Sequence, residues 1–201
     1  MSALDKAETK LFQKLNTPAK IQDFLETLRT NPETHGDTFH SPRIVLQKKQ
    51  AHCIEAATLA AAIWQFHGHK PQLVTLKATH PDLDHVIAIF KARGCFGAIS
   101  KSNHAVLRFR DPVYASVREL VMSYFHEYFH DSGKKTLRAY SDPLDLSKFN
   151  KQNWITSEKP VWFIDRALNK LRYHKILNTK QTKNLRKADD IEREAGKITI
   201  Y

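Results

Sequence analysis

The apolar positions of this chain fall into two periods. Ile21, Phe24, Leu25 and Leu28 recur at helical spacing. Thr17-Pro18 stands in front of them, a capping hydroxyl followed by a proline whose fixed φ suits a first turn. The spacing therefore predicts a helix over Pro18–Arg29. Asn31-Pro32 ends it, because the residue before a proline is pushed out of the helical region. Residues 32–43 hold two prolines and a glycine among polar groups and read as a loop. From His52 to His67 the pattern is apolar nearly all round, through Ile54, Ala56, Leu59, Ala60, Ile63, Trp64 and Phe66. A helix of that kind is buried on most sides. Gly68 closes it, and Pro71 follows.

Beyond Pro71 the period shortens to two. Strands are expected over Gln72–Thr79, His85–Phe90, Phe96–Ser100 and Ala105–Arg110, with a turn at Arg93-Gly94 and a stop at Asp111-Pro112. Val117, Leu120, Val121, Tyr124 and Tyr128 then share a helical face, predicting a third helix over Tyr114–His130, closed by Asp131-Ser132-Gly133. Residues 131–160 read as loop-rich. Val161–Leu171 fits a short strand or a helix, and Leu185, Ala188, Ile191 and Ala195 suggest a last helix. This order is α+β and not alternating βα units. It predicts a buried central helix packed on an antiparallel sheet, with additional helices.

Composition adds bounds. The 201 residues are 41% apolar and 26% charged, values of a folded protein. The longest apolar run, Ala56–Ile63, is far short of the roughly 20 residues of a membrane span, so no membrane partner is expected. The first residues carry no signal-peptide pattern, and two cysteines cannot build a disulfide framework, so a cytoplasmic setting is expected. The formal charge of +11 is concentrated: +6 lies in the last 36 residues, and Lys170–Lys187 holds seven basic residues and no acid. That segment reads as a solvated helix face or as a nucleic-acid-binding arm. The expected organisation is an N-terminal helix and loop over residues 1–43, a core over 44–165, and a basic helical segment over 166–201.

Cys53 opens the buried helix. A helix N-terminus carries free amides and partial positive charge, which favour a thiolate and can hold a developing oxyanion. A thiolate nucleophile needs a base on a neighbouring element, and His85 heads an apolar strand 32 residues on. The base needs an orienter on its other ring nitrogen. The hairpin at Arg93-Gly94 returns Ser100, Ser102 and Asn103 toward His85. Asp84 alternates to the opposite face from His85, and Asp111 lies one strand too far. His104 is an outside candidate for the base, Cys95 reads as incidental, and His52 is expected to diverge from Cys53 along the helix. A buried cysteine is also simply a small hydrophobe, and that reading stands beside the catalytic one.

The run from Cys53-Ile-Glu-Ala-Ala-Thr-Leu-Ala-Ala-Ala-Ile-Trp through Gly68, Gln72-Leu-Val-Thr-Leu and Asp84-His85-Val-Ile-Ala-Ile-Phe resembles the transglutaminase-like core. The resemblance covers about residues 44–112. It implies a papain-like fold with a Cys-His-Asp triad, as in the transglutaminase-like superfamily of transglutaminases, cysteine peptidases, amidases and inactive scaffolds. Cys53 would be the nucleophile and His85 the base. The third place falls to Ser100 or Asn103 in the absence of the usual aspartate. Gln47, six residues before Cys53, matches the spacing of the papain-like oxyanion glutamine. The implied reaction is hydrolysis or transamidation of an amide or peptide bond in a protein or peptide-like substrate, through a thioester and without a cofactor.

Two alternatives remain open. His126-Glu127-Tyr128-Phe129-His130 is formally a zinc-hydrolase motif, since i and i+4 histidines share a helix face. A degraded, non-catalytic scaffold whose basic Lys170–Lys187 tail binds nucleic acid or a partner is the other.

Overall fold

The computed structural model describes residues 4–34 and 36–199. The N-terminal part is helical: α1 (Lys6–Lys14), α2 (Pro18–Glu26), the two-residue β1 (Arg29–Thr30), α3 (Pro42–Lys48), the two-residue β2 (Gln50–Ala51) and α4 (Cys53–Phe66). Antiparallel strands β3 (Gln72–Ala78), β4 (His85–Ala92), β5 (Cys95–Ile99) and β6 (Arg110–Tyr114) come next, then α5 (Val117–Met122). The C-terminal part runs through β7 (Leu137–Ser141), β8 (Leu144–Asp145), a 3-10 segment (Leu146–Gln152), α6 (Trp162–Asn169), β9 (Tyr173–Lys175), α7 (Thr179–Lys183) and α8 (Asp190–Gly196). The expected α+β class, with helices packed on an antiparallel sheet, is observed.

The main sheet has the order β6-β5-β4-β3-β7-β9, with β8 beside the start of β3. Its centre is apolar on both faces. Leu73, Val86, Ala88 and Phe90 join the core beneath the N-terminal helices, α4 and α6. Val74, Leu76, Ile87, Ile89 and Ala98 meet Leu120, Val121, Tyr124, Phe125 and Tyr128 on the other side. Leu59 and Ile63 of α4 are wholly buried, each contributing about 1.5–3 kcal/mol of apolar burial. Among the described residues no helix is long and apolar enough to cross a membrane.

Several boundaries differ from expectation. Thr17 caps α2 as its hydroxyl accepts from Lys20 N at 3.2 Å, and the Arg93-Gly94 turn has positive φ at both residues. Helices α1 and α3 were not anticipated; they are short, and capping at Asp5 and Ser41 starts them. The strand expected over Ala105–Arg110 begins only at Arg110, because residues 100–109 form a loop with Leu107 at φ +60°. Pro112, expected to end a strand, lies within β6 at the sheet edge, where a missing N–H is tolerated. The helix expected over Tyr114–His130 stops at Met122 and continues as turns. Residues 131–160, expected to be loop-rich, contribute β7 and β8 to the sheet. The boundary drawn at residue 166 falls inside α6, and β9 beyond it pairs with β7.

Candidate active site

Antiparallel pairing places the C-terminal end of β3, the start of β4 and the end of β5 at one end of the sheet. The start of α4 arrives there too. Together they line a cleft of about 780 Å³ that includes His52, Cys53, His85, Ser102, Asn103 and Tyr128.

His85 is buried, and its Nε2 lies 2.8 Å from Ser100 Oγ. The Ser100 hydroxyl donates to the Leu107 carbonyl at 2.5 Å. A hydroxyl has one proton, so toward His85 it can only accept. Nε2 therefore carries a hydrogen, and the neutral ring keeps its lone pair on Nδ1 for the thiol. Gln22 of α2 fixes Ser100 in turn: its Oε1 accepts from Ser100 N, and its Nε2 donates to Ser100 O, both at 2.9 Å. The side-chain amide stands in for a neighbouring strand where β5 has ended. Sequence reasoning missed Gln22; a polar residue beside Ile21 and Leu25 on the buried face of α2 was the available signal.

Cys53 is the first residue of α4, where the leading amides have no intrahelical acceptor. Burial alone would push its thiol up. Hydrogen bonding from His52 and His85, and their positive charge, bring it down to about 5 from an ordinary 9.0. The thiolate is therefore present above pH of about 5 and is lost as the pH falls through that value.

His52 corrects the expectation that it would diverge from Cys53. It is the N-cap, with extended backbone at φ −92° and ψ −178°, so the angular step between helical neighbours does not apply. Its Nε2 faces the Thr38 carbonyl at 3.0 Å, Glu33 Oε1 at 3.3 Å and Glu55 Oε1 at 3.6 Å. Burial opposes a charge on His52, yet hydrogen bonding to Cys53 and the charge of Glu55 raise it to about 9 from 6.5. Glu55 is wholly buried and accepts from Asn31 Nδ2, Thr38 Oγ1 and the backbone of His40 and His52. Burial opposes its charge too, but the charge of His52 and those donors hold the carboxyl below its usual range. Glu55 was visible in the sequence as the one acid in an otherwise apolar helix.

The other candidates separate. Asn103 lines the cleft but makes no hydrogen bond to His85; its loop turns away after Ser102. Gln47, the oxyanion candidate, is exposed on α3 and does not line the cleft, since α3 ends before β2 leads into α4. Asp84 pairs with Lys77 Nζ at 2.6 Å and not with His85. His104 directs Nδ1 to the Gly196 carbonyl. Cys95 begins β5, outside the cleft. His126 and His130 share no helix face because no helix reaches them. His126 is exposed, and Glu127 is committed to Arg110 at 2.6 Å and to Leu107 N at 3.1 Å. Among the described residues no group of three potential ligand side chains could hold a metal.

A comparison with models of known protein families finds no match for this chain, and neither does one with curated protein sequences.

Proposed function

We propose that the chain is a thiol acyl-transfer enzyme with a transglutaminase-like core, acting on an amide or peptide bond in the reducing cytoplasm. The observation that carries this is Cys53 at the head of a buried helix, lowered by an imidazole whose outer nitrogen is tied to Ser100, in an open cleft. Cys53 Sγ attacks the carbonyl carbon, and the C–S bond forms as charge moves to the carbonyl oxygen. The free amides at the start of α4 are the donors available to that oxygen, in place of the glutamine expected at position 47. One such donor is worth about 3–4 kcal/mol in comparable sites. The proton that His85 Nδ1 took from the Cys53 thiol passes to the leaving nitrogen as the C–N bond breaks and the carbonyl re-forms. Water or an amine then attacks the thioester, returning a proton to Nδ1 and the thiolate to Cys53.

The test is labelling with a thiol-reactive electrophile at pH 6. Cys53 is expected to react far faster than a free thiol, and His85→Gln to abolish turnover of p-nitrophenyl acetate. Labelling no faster than a free thiol, with turnover unaffected by His85→Gln, leaves the non-catalytic scaffold as the reading that stands.

A further inference from the structure

The acyl-transfer mechanism uses one imidazole, while His52 and His85 are both hydrogen-bonding partners of the Cys53 thiol. We propose that they divide the work: His52 holds the Cys53 thiolate as a standing imidazolium anchored by Glu33 and Glu55, and His85 alone carries the proton. This rests on the reading of the cleft as a thiol acyl-transfer site, and it adds His52 as a catalytic residue.

The hydrogen-bond partners of the two rings carry the argument. Every oxygen around His52 Nε2 is an acceptor, one carbonyl and two carboxylates. That nitrogen must donate, which leaves Nδ1 for the start of α4, where the Glu55 amide stands at the third helical position and Cys53 is the ring's hydrogen-bonding partner. His85 has the same arrangement, Nε2 donating and Nδ1 left over, but its outer partner is a neutral hydroxyl. The carboxylate that usually backs the imidazole of a thiol triad is therefore present, attached to the other histidine. Glu55 adds a second reason. A buried carboxylate is costly without a positive charge, and hydrogen bonds alone leave it uncompensated. The His52 ring is the group in reach able to carry that charge, since His40, whose Nδ1 lies at 2.6 Å, turns its Nε2 to the Lys48 ammonium at 2.9 Å. The charged and titratable groups around His52 are Cys53 and Glu55 on α4, Glu33 and His40 on the segment before α3, and His85 across the thiol. Asp165 of α6 lines the same cleft.

The proton balance follows. In the state that acylates, the proton of the Cys53 thiol rests on His85 Nδ1, so the thiolate faces two imidazolium rings. During acylation His85 gives its Nδ1 proton to the leaving nitrogen and becomes neutral; His52 keeps both of its protons. During deacylation His85 takes one proton from water or the amine. His52 neither gains nor loses a proton over the cycle, and serves to make the thiolate a good resting nucleophile and leaving group. The elevation of His52 to about 9 is consistent with a ring that stays charged while Cys53 is ionised.

The experiment compares iodoacetamide labelling of Cys53 against pH with the burst and steady-state phases of p-nitrophenyl acetate turnover. Wild type, His52→Gln, His85→Gln and Glu33→Gln are used, each in a Cys95→Ser background. His52→Gln is expected to move the labelling midpoint from about 5 toward 9.0, and a rise of about two units cuts labelling at pH 6 about tenfold. His85→Gln is expected to retain the acylation burst at pH 6, since phenolate leaves without a proton, and to lose the steady state. Glu33→Gln, at a partly exposed side chain, is expected to raise the midpoint by less than His52→Gln, and it decides the matter if His52→Gln does not fold. An unchanged midpoint in folded His52→Gln, or in Glu33→Gln when that is the only folded variant, overturns the proposal while leaving the thiol site intact. Free-thiol behaviour of Cys53 in the wild type overturns the underlying reading itself.

Discussion

The Ser100 hydroxyl accepts from His85 Nε2 and donates to the Leu107 carbonyl, so both roles of the oxygen are taken. An ionised carboxylate at that place could accept from the imidazole but would press a negative oxygen against the carbonyl. Ser100→Asp is therefore expected to lower both the melting temperature and turnover of p-nitrophenyl acetate, not to improve an incomplete triad. Ser100→Ala removes one hydrogen bond to the ring, worth about 1 kcal/mol, and is expected to slow turnover roughly fivefold. Its labelling midpoint should stay near 5, because His52 still faces the thiol. Steady-state rates and the pH profile of alkylation check both variants, and a faster Ser100→Asp enzyme contradicts the assignment of the Ser100 proton.

At the scale of elements, close approach is what brings the site together. Ala56, Ala57, Ala60 and Ala61 are buried and keep α4 close to its neighbours, while near its end Trp64 meets Phe90 of β4 edge-on. The edge of the sheet is equally tight at Gly97 of β5. A Cβ there would lie 2.5 Å from Phe90 Cζ and 2.7 Å from the Arg110 carbonyl. The ring can swing aside, but the carbonyl belongs to β6 and moves only with the strand. Gly97→Ala is expected to destabilise the fold by about 1–3 kcal/mol, read as a lower denaturant midpoint. The paired register of β5 and β6 already shifts between Phe96 and Ala98, the irregularity that such a contact requires.

Across the whole molecule, the orientation of His85 depends on both ends of the chain. Gln22 of α2 holds Ser100, and the loop that supplies the Leu107 carbonyl is clasped from three directions. Arg108 pairs with Glu26, Glu127 accepts from Leu107 N, and Ala105 N donates to the Ile198 carbonyl at 2.9 Å. Truncation after Asp189 removes the last clasp. It is expected to lower steady-state turnover while sparing thiol labelling at pH 6, since Cys53 and His52 are held by the N-terminal half. Equal turnover in the truncated and intact proteins shows the clasp to be irrelevant to His85. The basic excess has a local outlet at this end: Arg186, Arg193 and Lys197 pair with Asp189, Asp190 and Glu194, while Lys170, Arg172, Lys175, Lys180, Lys183 and Lys187 make no ion pair among the described residues and remain as the basis of any salt-dependent polyanion binding.

Local rules made much of this legible. A cap and a proline announced α2, unbroken apolarity announced α4, alternation announced β3 to β5, and the positions of Cys53 and His85 at the heads of their elements followed directly. Those signals are local because propensity and periodicity act over a few residues. Where a pattern was weak or its ends were set by distant partners, the reading failed. Tyr124 and Tyr128 kept helical spacing after α5 had ended, because burial against the sheet, and not helical hydrogen bonding, selects their apolar rings. The partners of the site were hidden for the same reason: Gln22, Leu107, Glu33 and Glu55 lie far from Ser100, His85 and His52 in sequence or point by backbone geometry that spacing does not encode. The sequence by itself determined which side chains could do chemistry; the tertiary structure alone decided which nitrogen of each imidazole is left for the thiol, because that depends on what occupies the other one.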